Sequence, residues 1–185
     1  MSNGESSYRR YLSGDDEGIV EIIRDYKDGL IFYLNSIVRN INAAEELCED
    51  TFVKIAVKKP RFNGNSSFKT WLYAIGRNAA LDYLKKSVKN ASVSIEECED
   101  ISDDEQSLEK SYIKEERRIS VHKALRRLKT EYAQVLWLTY FEELSNRETA
   151  AVMKKTEHNI ATLVYRARLA MKKELEKEGF VYEEL

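Results

Sequence analysis

The sequence predicts an all-α protein made of two small helical domains, a bundle and a helix-turn-helix unit, joined by a flexible acidic linker. Three observations carry that prediction. Among 185 residues there are only 7 Gly and 1 Pro, Pro60, and so few breakers among so many helix formers argue against a sandwich, a barrel or a Gly-rich nucleotide fold. Apolar residues recur at intervals of three and four, the period of a helix with one buried face. Charge is unevenly distributed along the chain although the formal net charge is only −2.

That unevenness sets the domain organisation. In residues 1–52, Arg9, Arg10, Arg24, Lys27 and Arg39 face eleven acids, a net of −6. Residues 53–89 reverse the sign, with Lys54, Lys58, Lys59, Arg61, Lys69, Arg77, Lys85, Lys86 and Lys89 opposed by Asp82 alone, a net of +8. Such a stretch is a candidate polyanion site. Residues 90–110 set eight acids against Lys110, a net of −7, without an apolar period, and read as a linker. Residues 111–185 return to a net of +3. Domains are therefore expected at 11–89 and 111–179, with the linker at 90–110.

The elements follow in order. Ile19, Ile22, Ile23, Tyr26, Leu30, Tyr33, Leu34, Ile37 and Val38 mark a first helix, with Asp28-Gly29 as a possible kink. Asn42-Ala43-Ala44-Glu45 resembles a capping box that starts a second helix, which ends before Pro60. Ser66 or Ser67 caps a third, running through Trp71, Leu72, Ile75, Ala79 and Tyr83 to about Lys86. Ile113 to Leu128 and Glu131 to Phe141 read as two amphipathic helices. Ser145-Asn146-Arg147-Glu148 is a clearer capping box for a short helix to about Met153. Thr156 caps the last helix, from Glu157 to about Glu178, with Gly179 as its stop. A short helix, a tight turn and a longer basic helix make a helix-turn-helix pattern, and an ordinary helical hairpin would show the same spacing.

Several function classes are excluded. Cys48 and Cys98 make neither a disulfide framework nor a tetrahedral zinc site, and His122 and His158 add no ligand set. His122 reads as structural. The first residues lack the apolar run of a signal peptide, and no stretch approaches the roughly 20 apolar residues of a membrane span, so a cytoplasmic protein is expected, with no membrane insertion. The acids Glu45, Glu46, Glu49 and Asp50 have no nucleophile, His or metal set beside them, and read as a docking face for a basic protein or a solvated surface. No cofactor and no catalytic residue are expected.

Aromatic residues beside cations suit unpaired bases, which stack while the phosphates are neutralised. Phe62, Phe68, Trp71, Tyr73 and Tyr83 lie within the +8 stretch. At helical spacing Trp71, Leu72 and Ile75 suit a core equally well. Phe62 and the polar residues after it are better candidates, because a loop owes nothing to a helix face.

Three runs carry a resemblance. They are Ala44-Glu45-Glu46-Leu47-Cys48-Glu49-Asp50-Thr51-Phe52, then Phe62-Asn63-Gly64-Asn65-Ser66-Ser67-Phe68-Lys69-Thr70-Trp71-Leu72-Tyr73, then Arg77-Asn78-Ala79-Ala80-Leu81-Asp82-Tyr83-Leu84. Together they resemble region two of the extracytoplasmic-function sigma factors. Ala124 to Leu128, Val135 to Leu138, Leu144-Ser145 and Tyr165 to Arg168 resemble region four. The likeness spans about Tyr11 to Glu178.

The resemblance implies a non-catalytic subunit that binds bacterial RNA polymerase core and directs it to promoters. Glu46, Glu49, Asp50, Phe52 and Ile55 would dock on the clamp helices of the largest subunit, and the second domain would meet the flap of the second-largest. Phe62, Asn63, Gly64, Asn65, Ser66 and Ser67, with Arg77 and Asn78, would hold a base flipped from the non-template strand of the proximal element. Trp71 and Tyr73 would support that loop, while Lys58, Lys59, Lys85 and Lys86 steer the strand. At the distal element, Arg147, Thr156, His158, Asn159 and Thr162 would reach phosphates or base edges, and Arg166 and Arg168 would grip the backbone. The chain departs from the family at Lys154-Lys155, where a Gly and an apolar residue are common, at Ala161 and Leu163, often basic, and at Glu49, usually Gln. An anti-sigma partner is implied as well. The acidic linker suits a path toward the polymerase channel in imitation of RNA. Two other classes stand beside this reading: a sigma-shaped interaction module without promoter use, and a nucleic-acid enzyme, for which no nucleophile or metal set exists.

Overall fold

A computed structural model describes residues 4–91 and 112–177, and every regular element among them is helical. The first half contains α1 (Gly4–Leu12), α2 (Glu17–Val38), α3 (Ile41–Lys58) and α4 (Phe68–Ala91). The second contains α5 (Tyr112–Arg127), α6 (Thr130–Leu136), a π-helical turn over Trp137–Phe141, α7 (Asn146–Met153) and α8 (Glu157–Lys177). The linker beyond Ala91, with Cys98 and the role read from its charge, lies outside the described residues, as does Gly179.

The sequence reading contains no counterpart of α1, a short polar stretch whose large apolar side chains are only Tyr8, Tyr11 and Leu12. Tertiary contacts make it: the Tyr8 hydroxyl donates to the Pro60 carbonyl at 2.7 Å and Tyr11 to that of Ala56 at 2.8 Å, while Ser7 donates to Glu21 at 2.7 Å. The helix α2 runs unbroken through Asp28-Gly29, the site of the possible kink. Its buried residues Ile22, Leu30, Tyr33, Leu34 and Ile37 repeat at helical spacing and form the centre of the first half.

The start of α3 corrects the expected capping box. Asn40, not Asn42, is the cap, its side chain accepting from the Ala43 N–H at 3.0 Å in extended backbone. Arg39 just before it turns left-handed (φ 56°) and ends α2, so the two helices are joined without a spare residue. Ser67 caps α4, its hydroxyl accepting from the Thr70 N–H at 3.2 Å. This helix passes the expected end near Lys86 and takes in the first two residues of the expected linker.

The expected helix from Glu131 to Phe141 is α-helical only to Leu136. Its last turn widens, with Glu142 N–H donating to the Trp137 carbonyl at 3.1 Å, an i→i+5 bond of the kind often found at functional positions. Trp137 then stacks on Phe141, ring centroids 4.3 Å apart and nearly parallel. His122 packs its ring against Phe32, Trp137 and Phe141, a structural setting.

The two halves do not stand apart. Helices α2 and α4 pack against α6, the π turn and α7, and one apolar cluster runs from Leu30, Leu34 and Leu72 to Val135, Leu138 and Met153.

Candidate nucleic-acid interface

The loop between α3 and α4 is built by three local devices. Lys59 turns left-handed (φ 43°) ahead of Pro60 and ends α3. The Asn63 side chain accepts from the Asn65 N–H at 3.1 Å, closing a small turn. Gly64 sits between them at φ 72°, where only glycine is free of strain. Asn63, Gly64 and Asn65 are exposed, and Ser66 is half-buried.

Phe62 anchors this loop. Its ring lies 5.8 Å from Phe68 and 5.4 Å from Trp71, and both pack on Tyr8. Trp71 is thus a half-buried brace beneath the loop. Tyr73 lies two residues on, about 200° around the helix, and is fully buried against Tyr33 instead. It gives the loop no support, which corrects that expectation. Exposed cations flank the loop: Lys58, Lys59 and Arg61 before it, Lys85 and Lys86 at the far end of α4. Lys59 lies over the Tyr11 ring at 4.7 Å.

Along α3 the acids Glu45, Glu46, Glu49 and Asp50 are exposed. Phe52 and Ile55 are not: at 6% and 0% exposure they belong to the core. Positions 46, 49, 50, 53 and 57 share a helix face, so the apolar atoms beside these acids come from Val53 and Val57, 57% and 76% exposed. The spacing of Phe52 and Ile55 fits the opposite stripe, and this was the available signal. Cys48 is buried behind that face, and burial foremost pushes its thiol up to about 12. It is an apolar core residue in effect.

In the second half the Ser145–Glu148 capping box is present with both reciprocal bonds. The turn is Lys154-Lys155-Thr156, and Thr156 caps α8, accepting from the Asn159 N–H at 3.2 Å. Lys154 occupies the left-handed position (φ 55°) that glycine usually fills, and Lys155 pairs with Glu131 at 3.0 Å. Lys154→Gly should therefore raise the unfolding free energy by up to about 1 kcal/mol, left-handed backbone costing a side-chain-bearing residue roughly that much; urea titration checks this. Arg147, Thr156, His158, Asn159, Arg166 and Arg168 are exposed, as is Ala161; Thr162 and Leu163 are half-buried. Ile160 and Ala167 turn inward and hold α8 to the domain. Beside them an apolar groove opens between α5, the π turn and α8, lined by Val121, Leu125, Tyr140, Phe141, Tyr165 and Leu169.

The structure also brings together residues the sequence kept apart. Arg77, 9% exposed, donates from Nε to Gln134 at 3.1 Å. The Ser67 hydroxyl donates to Glu148 at 2.9 Å. Lys69 Nζ stands 2.7 Å from Glu142 Oε2 and 2.9 Å from the Glu142 carbonyl. Glu142, itself 9% exposed, accepts from Trp137 Nε1 at 3.2 Å. Burial first, then the Glu142 carboxylate, hold the Tyr73 phenol far above its ordinary range, so it stays protonated beside that carboxylate. Gln134 and Glu142 carried no signal in the sequence beyond ordinary helix polarity, Glu148 was legible only as part of its capping box, and all three were missed as partners of the loop and α4.

Partial burial raises the Glu148 carboxyl, but bonds from Ser145, Ser67 and Thr70 outweigh it and leave it below the ordinary value. A depressed carboxylate stabilises the fold above its unfolded-state value, and that contribution is lost as pH falls through the folded one. Glu148→Ala should cost about 1 kcal/mol at pH 7 through the lost cap. Thermal melts of the two chains should converge as pH drops below about 4.

Comparisons with known proteins give the same picture. A family model for sigma-70 region 2 matches residues 22–89, and one for sigma-70, region 4 matches residues 118–171. RNA polymerase sigma factor YlaC of Bacillus subtilis is 28% identical over 162 residues, 87% of this chain and 94% of that protein. The ECF RNA polymerase sigma factor SigW of Bacillus subtilis is 25% identical over 175 residues, 90% and 94% of the two chains. Among solved structures, CnrH bound to the cytosolic domain of CnrY has a similar fold, with TM-score 0.66 and 19% identity over 95% of this chain and 99% of that one. The sigma factor RpoE of Bartonella quintana, in complex with the anti-sigma factor NepR, also has TM-score 0.66, with 23% identity over 84% and 95%. Among the described residues no helix is long and apolar enough to cross a membrane. Two sigma-70 regions in one helical chain, with relatives matched over nearly their whole length, show that this protein belongs to the extracytoplasmic-function sigma factors, non-catalytic subunits that direct RNA polymerase core to particular promoters.

Proposed function

We propose that residues 11–89 dock on polymerase core and open the proximal promoter element, that residues 111–179 bind the distal element, and that residues 90–110 tether the two. One observation carries the reading: an exposed Asn63-Gly64-Asn65 loop, braced from below by Phe62 and Trp71 and flanked by exposed cations. Aromatic bracing fixes the loop's shape, the side-chain amides and backbone can pair with a base edge, and the lysines neutralise the strand that follows. Asn78, half-buried on α4, and Arg77 lie on the same helix. The acidic face of α3, with Val53 and Val57, supplies the charge and apolar area for basic clamp helices. The groove beside Tyr140 and Leu169 suits an apolar helix such as the flap.

In the second half α8 enters the major groove, with His158, Asn159 and Thr162 toward base edges and Arg147, Thr156, Arg166 and Arg168 toward phosphates. The absence of basic side chains at positions 161 and 163 leaves this helix with fewer direct base contacts than its relatives. An anti-sigma partner is supported by the similar RpoE of Bartonella quintana, which was solved in complex with the anti-sigma factor NepR.

Run-off transcription with purified core polymerase and genomic fragments tests the reading. Discrete transcripts that depend on this chain support it. Core binding without transcripts would favour a sigma-shaped interaction module.

A further inference from the structure

We propose that Tyr8 and Tyr11 are positioning residues for promoter opening: from α1, which supplies none of the residues assigned to DNA, they hold the turn that launches the base-binding loop. The inference rests on the function proposed above. It starts from a turn that is unfavourable by itself. Lys59 stands at φ 43°, and a residue ahead of proline is normally confined to extended backbone. Strained backbone of this kind persists only where its surroundings fix it. The turn also strands a carbonyl. Ala56 lies in the last turn of α3, where a continuing helix would bring its oxygen the N–H of residue 60, and Pro60 has none.

Helix α1 meets both needs with two tyrosines three residues apart, on one helix face. The Tyr11 hydroxyl donates to the Ala56 carbonyl at 2.8 Å and the Tyr8 hydroxyl to the Pro60 carbonyl at 2.7 Å, so the chain is gripped on either side of Lys59. Tyr8 is fully buried, and burial foremost pushes its phenol up to about 12, so it remains a donor through the neutral range. Its ring lies 5.6 Å from Phe68 and 5.4 Å from Trp71, the two rings against which Phe62 packs. Tyr11 also seats the Lys59 ammonium, 4.7 Å from its ring centroid. The helix that carries both is itself fixed to α2: Ser7 and Arg10 donate to Glu21 at 2.7 and 3.0 Å, and a Cβ at Gly18 would collide with the Ser7 carbonyl. A loop held in this way meets the base already in shape. Loosening it lowers the fraction of chains ready to bind, and the apparent affinity falls with that fraction.

Tyr8→Phe and Tyr11→Phe remove the hydroxyls and keep the rings. Each full chain is assembled with core polymerase and titrated with two probes taken from a genomic fragment that it transcribes: a fluorescent single strand carrying the non-template proximal element, and a duplex carrying the distal element. Each substitution should weaken single-strand binding about 5-fold, the scale of one net hydrogen bond, and the pair at least about 10-fold. Core capture and distal binding should stay at the parent's level. A merely structural defect would lower all three together; that outcome, or single-strand binding equal to the parent's, overturns the proposal. Deuterium exchange of the free chain gives a readout apart from activity. In the double variant the amides of residues 61–66 should exchange about 5-fold faster while those of α7 and α8 keep the parent's rate, and equal exchange in the loop also overturns the proposal. Should no genomic fragment be transcribed, the promoter-opening reading fails, and exchange alone decides whether α1 holds the loop.

Discussion

Replacing Asn63 and Asn65 together by alanine should leave core binding unchanged and lower promoter opening by about 100-fold. Extruding a base costs a few kcal/mol, which the pocket has to offset through polar contacts worth roughly 1 to 3 kcal/mol each. Losing two such contacts removes about 3 kcal/mol, or two powers of ten. Both residues are exposed, so the fold loses only the small turn between them. Permanganate reactivity of unpaired thymines reads the effect, with core capture as the control. Unchanged reactivity would move strand opening away from this loop. Phe62→Ala is a poorer probe, because removing a ring packed on Phe68 and Trp71 also costs about 3 kcal/mol of stability.

Reversing the acidic face, Glu46→Lys with Glu49→Lys and Asp50→Lys, should weaken core binding at least about 100-fold, since close interfacial charge pairs carry roughly 1.5 to 7 kcal/mol of coupling and reversal turns attraction into repulsion. Thermal melts should barely move, because exposed substitutions change stability by about 0.5 kcal/mol or less each. Added salt should narrow the gap between parent and variant by screening. Phe52→Ala and Ile55→Ala should behave in the opposite way, losing about 3 kcal/mol of stability because both side chains lie in the core. Core capture at two salt concentrations, alongside melts of all four chains, separates the two classes.

The candidate site was legible to the extent that it is local. The loop, its flanking cations and the acids of α3 could be read because exposure follows from helix spacing and turn chemistry. The reading went astray by one face at Phe52 and Ile55: both are apolar residues within an acidic helix, and apolarity alone does not say whether a residue docks on a partner or on its own bundle. It also went astray at Tyr73, where two residues along a helix reverse the direction a ring faces.

What the sequence determined by itself is the set of helices from α2 onward, most of their caps and the family. Ser67, Ser145 with Glu148, and Thr156 act within three residues of themselves, and a bond that closes locally is written locally. Only the tertiary structure decided that α1 forms, that a Cβ at Gly29 would meet Glu142 and Tyr73, and that Ser67 and Arg77 are held by partners 81 and 57 residues away. No periodicity names such a partner. A buried polar group takes whichever donor or acceptor the packed chain brings to it, and that choice is made by the whole fold at once.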